Sequence, residues 1–375
     1  MTDPGLASLR LLNEGEIPSP ALLIDHSRMT ANIRRMIDVI GDVQRLRPHA
    51  KTHKMPSVMK ALVAAGISRH KCATLAEAEM CARSGARDIL LAYQPVGPSI
   101  GHLVSLAGEF AEVDWSTVVD SPDIATMLNA AAADARVRMG VWLDIDVGMH
   151  RTGIAPDERA AALYRHVAAM PGLSVHGLHA YDGHIRENDP AARERQCEDA
   201  FAPVDQLAAE LESSGFPSPR IVAGGSPTFA IHARRGKVEC SPGTTVFWDA
   251  GYASLFPDLP YQPAALLMTR VISKPQPDWL CLDLGYKAVA SESPHPRVLF
   301  PSLADAEAVS HSEEHLVIKS RHASGHRVGD VLYGVPWHVC PTVALHQEAI
   351  LFQELRAVET WQVSARNRRL QPRSD

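Results

Sequence analysis

The densest cluster of reactive side chains is the run RPHAKTHK at 47–54, which gathers two lysines, two histidines and an arginine where a short β-rich stretch ends. A lysine amine becomes a nucleophile near neutral pH when neighbouring cations and loss of water lower its pKa, and Arg47 and Lys54 are candidates to supply the cations. One lysine here can then form an imine with a carbonyl compound. An exposed basic strand end is the competing reading. Further along, AGGSPT at 223–228 and SPGTT at 241–245 each follow a β-rich run, and their small residues let backbone N–H groups approach a phosphate closely. Two successive loops of this kind, late in a barrel, are the usual phosphate site of that fold. An early lysine together with such a cradle points to a phosphorylated cofactor that carries a carbonyl.

Two further runs follow strands. DVGMHRTGI at 146–154 offers Arg151, whose guanidinium can oppose a phenolate or carboxylate, or simply form a surface ion pair. HAYDGH at 179–184 offers Tyr181, which can lie against an aromatic cofactor, hydrogen-bond its ring nitrogen, or be a core tyrosine. PWHVCPT at 336–342 sets His338 and Cys340 two apart, so that on a strand both side chains would share a face and could share a metal ion. Imidazole plus thiolate suits zinc or another borderline metal better than magnesium, although an isolated H-x-C pair is weak evidence.

The elements that must position these groups alternate from about residue 20 to 250. Short β-rich runs are expected at Ala21 to Asp25, Arg45 to His49, Lys71 to Thr74, Asp88 to Ala92, Glu112 to Asp114, Val137 to Asp146, Ser174 to Tyr181, Arg220 to Gly224 and Val238 to Cys240. Between them lie stretches such as Met55 to Ala65, Ala76 to Ser84 and Glu194 to Ser214, with apolar residues three and four apart as amphipathic helices require. That many repeats favour a closed (β/α)8 TIM-type barrel over an open sheet. Lys51, Arg151, Tyr181, Gly224, Gly225, Ser226 and Gly243 all fall at or just after strand ends, the catalytic face of a barrel. After Pro263 the runs Leu266 to Ser273, Leu280 to Asp283, His315 to Lys319 and Val331 to Val335 lack helical spacers and read as a mainly antiparallel β domain. The expected organisation is a barrel over 20–263 and a β domain over 264–375, joined by residues 1–19, with a disordered basic tail from Arg366.

Composition sets the outer limits. A chain of 375 residues exceeds what one core usually serves, and 46% apolar with 21% charged residues is ordinary globular composition. A net charge of −6 with scattered lysines and arginines leaves no footprint for nucleic acid or an anionic membrane, so a small-molecule partner is expected. No apolar stretch approaches a membrane span, and Met1 to Arg10 has no basic region followed by an apolar one, so a cytoplasmic protein is expected. The six cysteines have neither disulfide-scaffold nor structural-zinc spacing, and all but Cys340 read as small buried hydrophobes.

Together these runs, from SPALLID at 19–25 to HVCPT at 338–342, resemble the fold-type III enzymes of pyridoxal 5′-phosphate (PLP), and within them the D-threonine aldolase and D-serine dehydratase group. The resemblance implies an alanine-racemase-like barrel followed by a β domain, with the cofactor bound as a Schiff base on Lys51, the first lysine of PHAKTHK. It implies that Arg151 supports the phenolic side of the cofactor, that Tyr181 contacts its ring, and that Gly224, Gly225, Ser226 and Gly243 surround its phosphate. It also implies a divalent metal (manganese, zinc or magnesium) on His338 and Cys340, beside the cofactor, and a homodimer.

Within that group the motifs divide. GLHAYDG at 177–183, IDVGMHRTG at 145–153 and SKPQPDWLCLDLGYK at 273–287 are similar to the aldolases, whereas the H-x-C pair is similar to the dehydratases. Aldolases carry a histidine several residues after the tyrosine; His184 is the nearest here, at a shorter spacing. The expectation is a PLP- and metal-dependent lyase of the D-threonine aldolase type, with His184 or a metal-bound water as base. The alternative is D-serine dehydratase-like elimination to pyruvate and ammonia, and less favoured readings are a non-catalytic PLP carrier or a racemase.

Overall fold

A computed structural model describes residues 3–368. The tail expected from Arg366 onward lies, from residue 369, outside the described residues. Contacts divide the chain into two units that interleave in sequence, one built from residues up to 35, 52–55 and 244–366, the other from 36–51 and 56–243. Relative to a boundary near residue 263, residues 20–35 and 244–263 therefore pack with the β-rich unit. Among the described residues no helix is long and apolar enough to cross a membrane.

The second of these units is a parallel seven-stranded sheet whose strands follow chain order: Arg69–Cys72, Asp88–Leu91, Asp114–Val119, Met139–Asp144, Leu173–Ala180, Arg220–Ala223 and Val238–Cys240. Strands such as Asp88–Leu91 and Met139–Asp144 are buried at every position, as parallel strands covered on both faces must be. The stretch 46–49 closes the ring: Leu46 bridges Cys240 and His49 bridges Lys71, both in parallel. The expected (β/α)8-type barrel is thus the observed one. The helices between strands begin where the sequence signals them, with proline in the first turn at Pro98, Pro122 and Pro190 and Thr74 accepting the Glu77 N–H as N-cap.

Two expected strands are corrected. Ala21–Asp25 is not a barrel strand; it pairs antiparallel with Ala265–Ser273 and parallel with Glu348–Gln353 in the other unit. Its composition suits either sheet, so only its partners decide. Asp114–Val119 replaces the strand expected at 112–114, because the β-branched and aromatic run WSTVV continues the extended stretch.

Arg47 is fully buried on the closing stretch, with both Nη atoms on Asp88 (2.5 and 2.7 Å) and Nε on Glu239 (2.9 Å). The cation expected to activate a lysine is therefore committed to two carboxylates. Burial alone would raise the Asp88 pKa, but the Arg47 charge and hydrogen bonds outweigh it and hold it below the usual carboxylate range. Arg47→Met should destabilise the protein by about 3 kcal/mol, because buried Asp88 loses its main counter-charge and Glu239 one of its three arginine partners. Since the Asp88 pKa is depressed on folding, its contribution is present above about pH 4 and lost as pH falls through the folded value. Urea unfolding at pH 7 and pH 3 measures both effects; a variant as stable as wild type at pH 7 would contradict them.

The other unit holds a mainly antiparallel sheet in the order Glu307–His311, Leu316–Lys319, Trp279–Leu282, Ala265–Ser273, Ala21–Asp25, Glu348–Gln353 and Arg356–Gln362, with Val331–Pro336 also paired to Ala265–Ser273. Its core packs Leu6, Leu9, Leu11 and Ile17 with Leu266, Met268 and Tyr333.

Candidate active site

At the C-terminal ends of the barrel strands, three cations surround one aromatic ring. Lys51 Nζ lies 5.7 Å, Lys71 Nζ 5.1 Å and Arg151 Cζ 5.2 Å from the centroid of Tyr181. Lys51 sits in a 3-10 turn, Ala50–Thr52, just past the closing stretch, and its N–H donates to His49 Nδ1. Arg151 is presented by a tight loop in which Asp146 Oδ1 accepts the N–H groups of Gly148 and His150, both at 3.0 Å. Gly153 ends that loop at φ +100°, where a Cβ would meet Asp146 N at 2.7 Å, so the motif requires glycine there.

The two small-residue loops are joined, Gly243 N–H donating to Ser226 Oγ at 3.3 Å, and Gly224 adopts φ +79°. The Gly225 N–H, expected to face a phosphate, instead donates to Asp182 Oδ1 at 3.0 Å. The other oxygen of Asp182 accepts from His232 Nε2 at 2.8 Å, with Cys197 Sγ 3.2 Å from the same nitrogen. This is the one group of three possible metal ligands found among the described residues, and its buried hydrogen bonds tie the Tyr181 strand end to the glycine loop.

Sequence reasoning missed Lys71, Asp144, His179 and Asp182. Lys71 is 3% exposed, donates to Ser241 Oγ at 3.0 Å, and feels Asp144 and Asp182 only through their charge. Burial first, then the Lys51 charge, bring its pKa down to about 7. A lysine inside an otherwise buried strand, RHKC at 69–72, was the available signal. His179 and Asp144 line a recess together with Arg151, Thr152 and Tyr181. The ring of His184 lies against Gly148 instead, its Nε2 3.1 Å from where a Cβ there would stand.

In the β-rich unit His338 and Cys340 are not on a strand. His338 is the N-cap of the helix Val339–Leu345 and Cys340 lies in its first turn, because the strand Val331–Pro336 ends at the proline. The two side chains nevertheless meet. Burial lowers the His338 pKa, but the hydrogen bond and charge of Cys340, helped by Glu292, outweigh it and raise it to about 9. Glu292 Oε1 is 2.5 Å from His338 Nδ1, and Cys340 Sγ is 3.2 Å from Thr52 Oγ1. Asp249 Oδ2 accepts the Val339 N–H at 3.0 Å and so fixes the start of this helix.

The family described as alanine racemase, N-terminal domain, matches residues 24–250. The chain belongs to this family. A second match, to a putative serine dehydratase domain, covers residues 264–352, and the two together place the protein among the fold-type III PLP enzymes. It is 29% identical to a D-threonine aldolase of Arthrobacter sp. over 93% of each chain. It is 30% identical to a D-threo-3-hydroxyaspartate dehydratase of Delftia sp. (strain HT23), over 74% of this chain and 73% of that one. The solved D-threonine aldolase from Filomicrobium marinum superposes with a TM-score of 0.87 at 27% identity, covering 96% of this chain and 99% of the other. Relatives that are aldolases and dehydratases put the chain with the PLP-dependent lyases.

Proposed function

We propose that this protein is a PLP- and divalent-metal-dependent aldolase that cleaves D-configured β-hydroxy-α-amino acids, such as D-threonine or D-allo-threonine, to glycine and an aldehyde. The observation that carries the reading is the gathering of Lys51, Lys71 and Arg151 around Tyr181 at the barrel mouth. The residues fit an anionic aromatic group with a carbonyl: an amine to capture the carbonyl, cations for its oxygens, and a buried His179 Nε2 with no partner among the described residues.

When bound, PLP supplies an electron sink for the pair released at Cα. Lys51 is the covalent attachment point and can hold a proton once an amino acid takes its place. Arg151 and Tyr181 orient the ring, while Gly224, Gly225, Ser226 and Gly243 shape the phosphate end. His338 and Cys340 present an imidazole and a thiol that fit a borderline divalent ion, with Glu292 placed to orient the imidazole. Such an ion supplies Lewis acidity toward a hydroxyl. His184 is the candidate base read from the sequence. The relatives further support a small D-amino acid as substrate, and the resemblance supports a homodimer.

Aldolase chemistry is favoured over elimination by the tyrosine-containing GLHAYDG run and by the longer match to an aldolase. The H-x-C pair favours the second reading, a D-serine dehydratase type. Purified protein with PLP and a divalent metal should convert D-threonine to glycine and acetaldehyde. Pyruvate from D-serine or 2-oxobutanoate from D-threonine, without glycine, would replace the first reading by the second.

A further inference from the structure

His179 stands near the end of the barrel strand Leu173–Ala180 and Tyr181 directly follows it, and both line the same recess. His179 is 4% exposed, and its Nδ1 lies 2.7 Å from Asp144 Oδ1 on the neighbouring strand. Burial would raise the Asp144 pKa, but hydrogen bonds from His179 and Thr152 outweigh it and hold it below the usual carboxylate range, so the carboxylate is ionised at pH 7. An ionised acceptor at Nδ1 keeps the ring proton there and leaves a lone pair on Nε2. That nitrogen is buried and has no hydrogen-bond partner among the described residues. His179 is also part of the lining of the recess that Arg151, Thr152 and Tyr181 share. A buried imidazole nitrogen without a partner is costly to keep unless a ligand satisfies it.

We propose that His179 is an acid–base residue of this recess, taking a proton at Nε2 from a hydroxyl of the molecule bound there while Asp144 holds the ring in register. In the transfer the O–H bond breaks, the oxygen keeps the electron pair and an N–H bond forms. In the cleavage reaction the same proton is returned to the carbon that becomes Cα of glycine, so no acid or base is consumed. The proposal rests on the lyase reading for the identity of the bound molecule, and it replaces His184 as the base. The charged groups that face His179 are Asp144, Lys71 and Arg151. Burial and the Lys71 charge lower its pKa despite Asp144, so the ring is neutral at pH 7 and ready to accept. The hydroxyl has two possible sources with the same chemistry, the phenolic group of the cofactor and the β-hydroxyl of the substrate.

The test compares wild-type holoprotein with His179→Gln, which keeps a donor for Asp144 but cannot take the proton. Asp144→Asn serves as a second variant in which the ring loses its orienting charge. Thermal melts establish that each is folded. Visible absorbance of the lysine-bound cofactor is titrated from pH 5 to 9 without substrate, and kcat is then followed over the same range. A wild-type spectral transition lost in His179→Gln assigns the cofactor hydroxyl. An unmoved spectrum with kcat lowered on the order of 100-fold and the acid limb gone assigns the substrate hydroxyl. If neither the spectral titration nor the acid limb moves, or if His184→Gln removes the limb instead, the proposal is wrong. Failure of wild type to cleave any β-hydroxy-D-amino acid would sink the aldolase reading while leaving the spectral arm intact.

Discussion

Lys51→Ala is expected to leave no pyridoxyl group at position 51 after borohydride reduction of protein incubated with PLP, and to lower D-threonine cleavage by at least about 1,000-fold. The barrel closes through the stretch just before this residue, so the amine is delivered to the ring of Tyr181 by backbone geometry that alanine would keep. The loss would therefore be chemical, with little change in stability. Lys71 makes the experiment sharper. Its amine, brought to about 7 chiefly by burial, is the other nucleophile at this ring, so any residual adduct should map there by peptide sequencing. Full activity with no adduct on either lysine would remove the cofactor from the mechanism and the proposed reaction with it.

Cys340→Ser is expected to release the divalent metal on dialysis and to lower turnover by at least about 100-fold, with partial recovery when metal is supplied in excess. Serine keeps the volume and a hydrogen-bonding partner for Thr52, so the start of the helix Val339–Leu345 should survive, held by Asp249 on the Val339 N–H. What it loses is the soft thiolate that, with imidazole, suits zinc or another borderline metal over magnesium. Elemental analysis of wild type and variant, with and without chelator, reads this directly. Equal metal content and equal kcat in the two proteins would show that the pair holds no ion.

Much of the fold was legible in the sequence because parallel barrel strands and their helices carry strong local signals. Buried β-rich runs alternate with amphipathic stretches, and proline or threonine marks several helix starts. Ala21–Asp25 carried the same signal and went to the other sheet, since a run of five apolar-rich residues does not encode its partners. The candidate site followed the same division. Lys51, Arg151, Tyr181 and the glycine loops stood out in the sequence because they fall at strand ends or in glycine-rich runs, and the structure brings Lys51 and Arg151 to the ring of Tyr181.

By itself the sequence determined which residue types can capture a carbonyl, cradle a phosphate or ligate a metal, and roughly where along the chain each stands. Only the tertiary structure decided which of them meet. Arg47 turned to Asp88 and Glu239, while Lys71, 24 residues further on, took its place beside Lys51 and Tyr181. His179 found Asp144, 35 positions away. The physical reason is that charge in a buried barrel is settled by whichever groups the closing of the sheet brings within a few ångströms, and sequence separation places no limit on that distance.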